Sequence, residues 1–334
     1  MNIDDSLSME NGVIEGDDGE LYLGNGAHNP LDYMMGKISA SDKSISSFES
    51  NLRYRMSISK KLGAKYIHVV APDKPTVLRD QFPLLNFISL GEVVRARVDM
   101  PYLYPVEELK ELHKHHRSYN QTDTHWSPEG NALVTRLVAQ AYGIEAERLR
   151  ELADDLQACI TPNATDLIGD LGRKLDPPRS SKCSVFHPYW HTWTFANGIP
   201  KNQGNIYYVV SAHPKAQGRL LIFGDSFIIA MRYFLSAVFE EVVICRTQFL
   251  HKEIALGVKP DYILTENVER YLGVIQTDNN AQPFLMLPAL LNRPTNYKPG
   301  AQAAIAAALS GGTPVHKKFL TKLKGLQPSS PKST

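Results

Sequence analysis

The sequence predicts an α/β fold, and three observations carry that prediction. An amphipathic helical pattern at 44–62 leads directly into the β-branched run Tyr66-Ile67-His68-Val69-Val70-Ala71. A second apolar run, 219–223, feeds another helical pattern at 227–239. Two more short apolar runs, 241–246 and 261–265, follow at the spacing of strand–helix units, which implies a mostly parallel sheet.

Each element has a local reason. Residues 1–18 are acidic and poor in large apolar side chains, so a disordered N-terminus is expected. Ile45, Phe48, Leu52 and Met56 recur at spacings of three and four, Gly63 closes their helix, and Pro72 ends the strand after it. Ser127 is a helix N-cap with Pro128 at the first helical position; Val134, Leu137, Val138 and Ala141 share one face, and Gly143 stops the helix. Residues 176–218, rich in Pro, Gly, Ser and aromatics, read as an irregular insertion before the 219–223 strand. After 261–265 a short helix is expected at 267–270. The organisation is one folded domain at 19–290, with a basic, flexible tail at 291–334.

Composition narrows the class. Hydrophobic content of 43% and charged content of 21% over 334 residues are those of a soluble globular protein. The net charge of +1 points to neither nucleic acid nor membrane, although no Asp or Glu occurs after Asp278. Three cysteines exclude a complete disulfide framework and form no CxxC pair. The first residues lack a basic and apolar signal pattern, and no apolar stretch approaches about eighteen residues, so no transmembrane segment and a cytoplasmic location are expected. No trusted nucleotide-binding segment appears, and no cofactor is expected.

The chemistry lies in two short motifs. Leu220-Leu221-Ile222-Phe223-Gly224-Asp225-Ser226-Phe227 ends a strand in Gly-Asp-Ser and passes into a helix. A serine hydroxyl needs a base to become a nucleophile, and a helix N-terminus beside it favours an oxyanion, with Ser226 N–H as the first donor candidate. Upstream stands Asp123-Thr124-His125-Trp126. In an extended segment residues i and i+2 share a side, so Asp123 orients His125, which serves as general base and then acid. The order Asp, His, Ser is triad logic on one chain.

Other residues have weaker claims. Lys74 and Arg246 sit at carboxyl ends of strands, where open α/β sheets bind ligands. Trp126 either stacks on a sugar or packs beneath the loop, and Asn131 is a further substrate-binding candidate. His187, Tyr189, Trp190, His191 and Trp193 form an aromatic cluster that reads first as a local core. His113, His115 and His116 lack an evident third ligand, so no metal site is expected.

Gly224-Asp225-Ser226-Phe227 and Thr122-Asp123-Thr124-His125-Trp126-Ser127-Pro128-Glu129-Gly130 resemble the SGNH hydrolase-like family that includes the alginate-type polysaccharide O-acetyltransferases. In that family the Asp-x-His pair precedes the serine. Asp18-Gly19-Glu20-Leu21-Tyr22-Leu23, Pro72-Asp73-Lys74, Gly169-Asp170-Leu171-Gly172 and Pro260-Asp261-Tyr262-Ile263-Leu264 with Glu269-Arg270 extend the resemblance over about 18–275. It implies a flavodoxin-like, three-layer α/β/α fold and an acyl-enzyme on Ser226. It also implies acetyl transfer between an acyl donor and a glycan or nucleotide-linked sugar. Two readings stand beside it: a carbohydrate or small-ester esterase using the same triad, and a glycan-binding protein without turnover.

Overall fold

Unbroken apolar runs become strands covered on both faces. Leu220, Leu221 and Ile222, and Val242, Val243 and Ile244 beside them, expose no surface at all. The computed structural model describes residues 9–84, 86–200 and 202–326. The chain forms two compact units. One comprises Met1–Tyr54, His68–His187 and Glu266–Thr277; the other comprises Arg55–Ile67, Pro188–Thr265 and Asp278–Thr334.

The second unit is built on sheet strands in the order 65–67 of Lys65–Ala71, 262–265 of Tyr262–Val268, then Arg219–Gly224, Glu241–Arg246, Ile206–Ser211 and Thr192–Ala196; residues 68–71 and 266–268 of the first two strands are counted in the first unit. Residues 262–265 pair parallel to 220–223, and 219–224 pair parallel to 241–246. Ile206–Ser211 and Thr192–Ala196 then add antiparallel, so the expected parallel sheet has an antiparallel edge. Helix Ala301–Ala308 packs on these last two strands and on helix Pro314–Lys324. Arg219 donates to both carboxylate oxygens of Glu241, at 2.9 and 2.7 Å, and His316 Nε2 lies 2.9 Å from Glu241 Oε2. A buried polar knot therefore ties the C-terminal helix to the strand that carries Gly224.

Apolar clusters fill the first unit among the described residues. Ile45, Phe48 and Leu52 of helix Asp42–Leu62 pack with Val70, Leu90, Val94 and Leu272. Val13 and Leu21 pack with Leu171 and Leu175. Helix Pro128–Ala141 lies against Ala146–Ala158 and Val106–His113. Its N-cap is the expected one, since Ser127 Oγ accepts the Gly130 N–H at 3.0 Å.

Three expectations change. Residues 13–15 and 21–23 are paired strands, with 9–10 added outside them, where a disordered end was expected through 18; residues 1–8 lie outside the described residues. The segment 176–218 holds strands Ser181–Phe186, Thr192–Ala196 and Ile206–Ser211 rather than irregular chain. Two helices, 301–308 and 314–324, occupy much of the expected tail; its last residues, 327–334, lie outside the described residues. No helix among the described residues is long and apolar enough to cross a membrane.

Candidate functional site

Ser226 lies in the second unit, half-buried, at the junction of strand Arg219–Gly224 and helix Phe227–Leu235. The side chain of Asp225 shapes the turn: its Oδ1 accepts the Phe227 N–H at 3.0 Å. That amide is therefore committed to the turn, while Gly224 O accepts the Thr247 N–H at 3.1 Å. The serine is thus held on a short, rigid elbow at the end of a buried strand.

Asp123 and His125 lie in the first unit, on the loop that precedes helix Pro128–Ala141. His125 Nδ1 is 2.6 Å from Asp123 Oδ1, and the His125 backbone N–H donates to the same oxygen at 2.9 Å. Asp123 Oδ2 accepts the Asp170 N–H at 2.9 Å. The carboxylate thus takes three N–H bonds from two segments of chain.

These contacts set the protonation of the pair. Burial pushes the Asp123 carboxyl up, but the hydrogen bonds and charge of His125, with the Asp170 amide, outweigh it and hold the carboxyl down at about 2. Burial pushes His125 down; the bond to Asp123, then the charges of Asp123 and Asp170, overcome that and leave it above its ordinary value, with Arg270 opposing.

The loop is braced from below and behind. Trp126, only 2% exposed, donates its Nε1–H to Tyr119 OH at 3.1 Å, and Tyr119 OH donates to Pro72 O at 2.7 Å. Behind the loop, Thr122 O accepts from Leu171 N and Gly172 N at 3.2 and 2.9 Å. A Cβ at position 169 would stand 2.2 Å from Thr122 O, so only glycine allows the two segments this approach.

Asp170 is a further residue beside the dyad, one to which the sequence reading gave no role. Its Oδ1 accepts the Thr124 N–H at 2.8 Å, its Oδ2 accepts the Thr124 hydroxyl at 2.6 Å, and Oδ2 lies 3.8 Å from His125 Nδ1. The available signal was the pair of glycines flanking Asp170-Leu171, a spacing that marks close backbone approach. Asp123, His125 and Asp170 offer ligand atoms within 4.8 Å of one another. However, Asp123 and His125 Nδ1 face each other across a short hydrogen bond, and both Asp170 oxygens serve Thr124, so the arrangement fits proton handling better than a shared ion.

The four substrate-binding candidates fare differently. Lys74 is buried: it pairs with Glu20 at 2.6 Å and donates to Leu21 O, Asn120 O and Gln121 O at 3.0, 2.9 and 2.9 Å. Burial, only partly offset by Glu20, lowers its pKa. Such an ammonium is fully occupied in holding the dyad loop, which gives the substrate reading no support. Trp126 is enclosed beneath the loop, and Asn131 Nδ2 donates to Trp126 O and Ser127 O at 3.2 and 2.8 Å, while its buried Oδ1 has no hydrogen-bond partner among the described residues. Arg246 differs. It is the register partner of Gly224, and its buried Nε has no hydrogen-bond partner among the described residues.

Of the aromatic cluster only Trp190 packs as core; His191 and Trp193 are half-buried and His187 is exposed. Trp190 is buried and donates to Ser236 Oγ at 2.8 Å, and its ring meets His213 edge-on at 4.8 Å; Tyr189 stays exposed. His113 Nδ1 accepts the Ser118 N–H at 3.3 Å.

No protein-family model and no curated protein sequence matches the chain. Solved structures do. Bacillus cereus PatB1 with a sulfonyl adduct superposes with a TM-score of 0.55 at 12% identity, covering 78% of this chain and 94% of that one. A DHHW family protein from Eubacterium siraeum superposes with a TM-score of 0.51 at 12% identity, covering 80% and 94%. The O-acetyltransferase domain of Pseudomonas putida AlgJ aligns at 0.49 and 14% identity, covering 83% and 98%. At such identities the likeness to the first two is one of fold, and it spans nearly their whole length.

Proposed function

We propose that this chain is an acyltransferase that moves an acetyl group onto a carbohydrate hydroxyl through an acyl-enzyme on Ser226. The observation that carries the reading is the short Asp123–His125 bond, which commits Nδ1 and assigns proton exchange to Nε2. In the first half-reaction Ser226 Oγ attacks the donor carbonyl, its proton passes to His125, and the leaving group departs with that proton. In the second, a sugar hydroxyl gives its proton to His125, attacks the acyl carbon, and Ser226 leaves as the hydroxyl. Ser226 N–H, at the start of a helix, is the proposed first oxyanion donor. Arg246, on the rim beside Gly224, is the proposed substrate contact.

The esterase reading uses the same first half-reaction and lets water accept the acyl group. The sulfonyl adduct of PatB1 suggests a practical probe. A sulfonyl fluoride or p-nitrophenyl acetate should give a covalent adduct located on Ser226 by peptide mass, and Ser226→Ala should give none. Equal behaviour of the two proteins would leave only the glycan-binding reading. A labelled acetyl donor with a panel of glycans then separates transfer from hydrolysis: acetylated glycan supports the transferase, and free acetate alone would replace it with the esterase.

A further inference from the structure

The second unit carries an apolar segment that its own fold leaves uncovered. Phe284 anchors it: the ring is buried against His251 with centroids 5.3 Å apart, and its N–H donates to Glu253 Oε1 at 3.0 Å. Beyond that anchor Leu285, Met286, Leu290 and Leu291 are exposed by 58, 52, 53 and 36%. Four large aliphatic side chains within seven residues are more than the scattered exposure expected of a surface.

Charge identifies the occupant. After Asp278 the chain has seven Lys and Arg and no carboxylate side chain. Lys298, Lys317, Lys318 and Lys322 are exposed there. Counted over the sequence ranges of the whole unit, eighteen Lys and Arg stand against six Asp and Glu, a net +12, which leaves −11 for the other unit and the overall +1. Three of those six carboxylates touch these segments: Glu253 holds the Phe284 N–H, Glu240 is paired with Lys324, and Glu241 lies against His316. A soluble polyanion would use the cations but has no use for four exposed aliphatic side chains. Exposed aliphatic side chains on a unit of strong net positive charge have the chemistry of an anionic lipid interface.

We propose that Leu285, Met286, Leu290 and Leu291 insert into the surface of an anionic membrane while the basic C-terminal segment holds its headgroups. The surface does not depend on Ser226 chemistry. The test is co-sedimentation of the full chain with phosphatidylcholine vesicles, with and without phosphatidylglycerol. Binding is expected with phosphatidylglycerol, weakened by salt, and equal for Ser226→Ala. The triple variant Leu285→Gln, Met286→Gln, Leu290→Gln should lose about tenfold in partitioning with its melting temperature unchanged. Lys317→Gln with Lys318→Gln and Lys322→Gln should weaken binding and flatten its salt dependence. No binding at low salt, or wild-type binding by the apolar triple variant, overturns the proposal. So does a solution dimer that the apolar variant dissociates without any change in vesicle binding, which would make the patch a contact with a second copy.

Discussion

At the scale of single residues, the protonation of the dyad is fixed by three N–H bonds to one carboxylate. His125 titrates above the ordinary imidazole value because Asp123 and Asp170 favour its charged form, and only the neutral ring can act as base. Acylation is therefore expected to rise with pH through a midpoint above about 6.5. Asp123→Asn should cut the rate by on the order of 10³–10⁴-fold and move the midpoint down. A pH–rate profile with an unmoved midpoint would contradict the assignment. The stability linkage runs the other way: the pair contributes fully between the ordinary carboxyl and ordinary imidazole values, and the contribution is lost as pH rises through the raised imidazole value or falls towards about 2, where Asp123 protonates. Asp170→Asn makes a subtler case. Removing its charge and its double acceptance from Thr124 should slow acylation about 10- to 100-fold. It should also lower the midpoint, a readout that mere loosening of the loop would not give.

At the scale of elements, the helix and strand starts were legible where local chemistry alone decides them. The Ser127-Pro128 cap and the 241–246 strand fall where the sequence places them. The strand at 262–268 outruns its expected end because Glu266 and Asn267, polar by type, are buried in it. The strands Ser181–Phe186 and Thr192–Ala196 were hidden because their side chains are mostly half-covered, which blurs any alternation of buried and exposed positions, whereas Ile206–Ser211 is almost wholly buried and its apolar run was overlooked. Lys74 was misread for a related reason. A lysine after a strand looks solvated until Glu20 and three carbonyls are seen around it. Lys74→Met should therefore leave a buried Glu20 carboxylate with Arg117 as its remaining cation and cost about 3–5 kcal/mol in denaturant unfolding. A cost under about 1 kcal/mol would show that the ammonium is not holding the loop.

At the scale of the whole molecule, the near-neutral total conceals two opposed halves, +12 and −11. Above its pI of about 7.7 the chain is net negative, yet it should still be retained by a cation exchanger at low salt. Flow-through at low salt would mean that the basic ranges are masked. Such polarity is legible in a sequence only after the fold says which ranges belong together.

The boundaries between the two units fall at five places in the chain, after residues 54, 67, 187, 265 and 277. No contiguous stretch of coding sequence therefore specifies either unit. A recombination breakpoint anywhere between codons 55 and 277 divides both units between parental genes, and one outside that interval still divides one of them. A crossover between codons 126 and 219 therefore joins the Asp-His loop of one parent to the serine elbow of the other only by splitting both units at once.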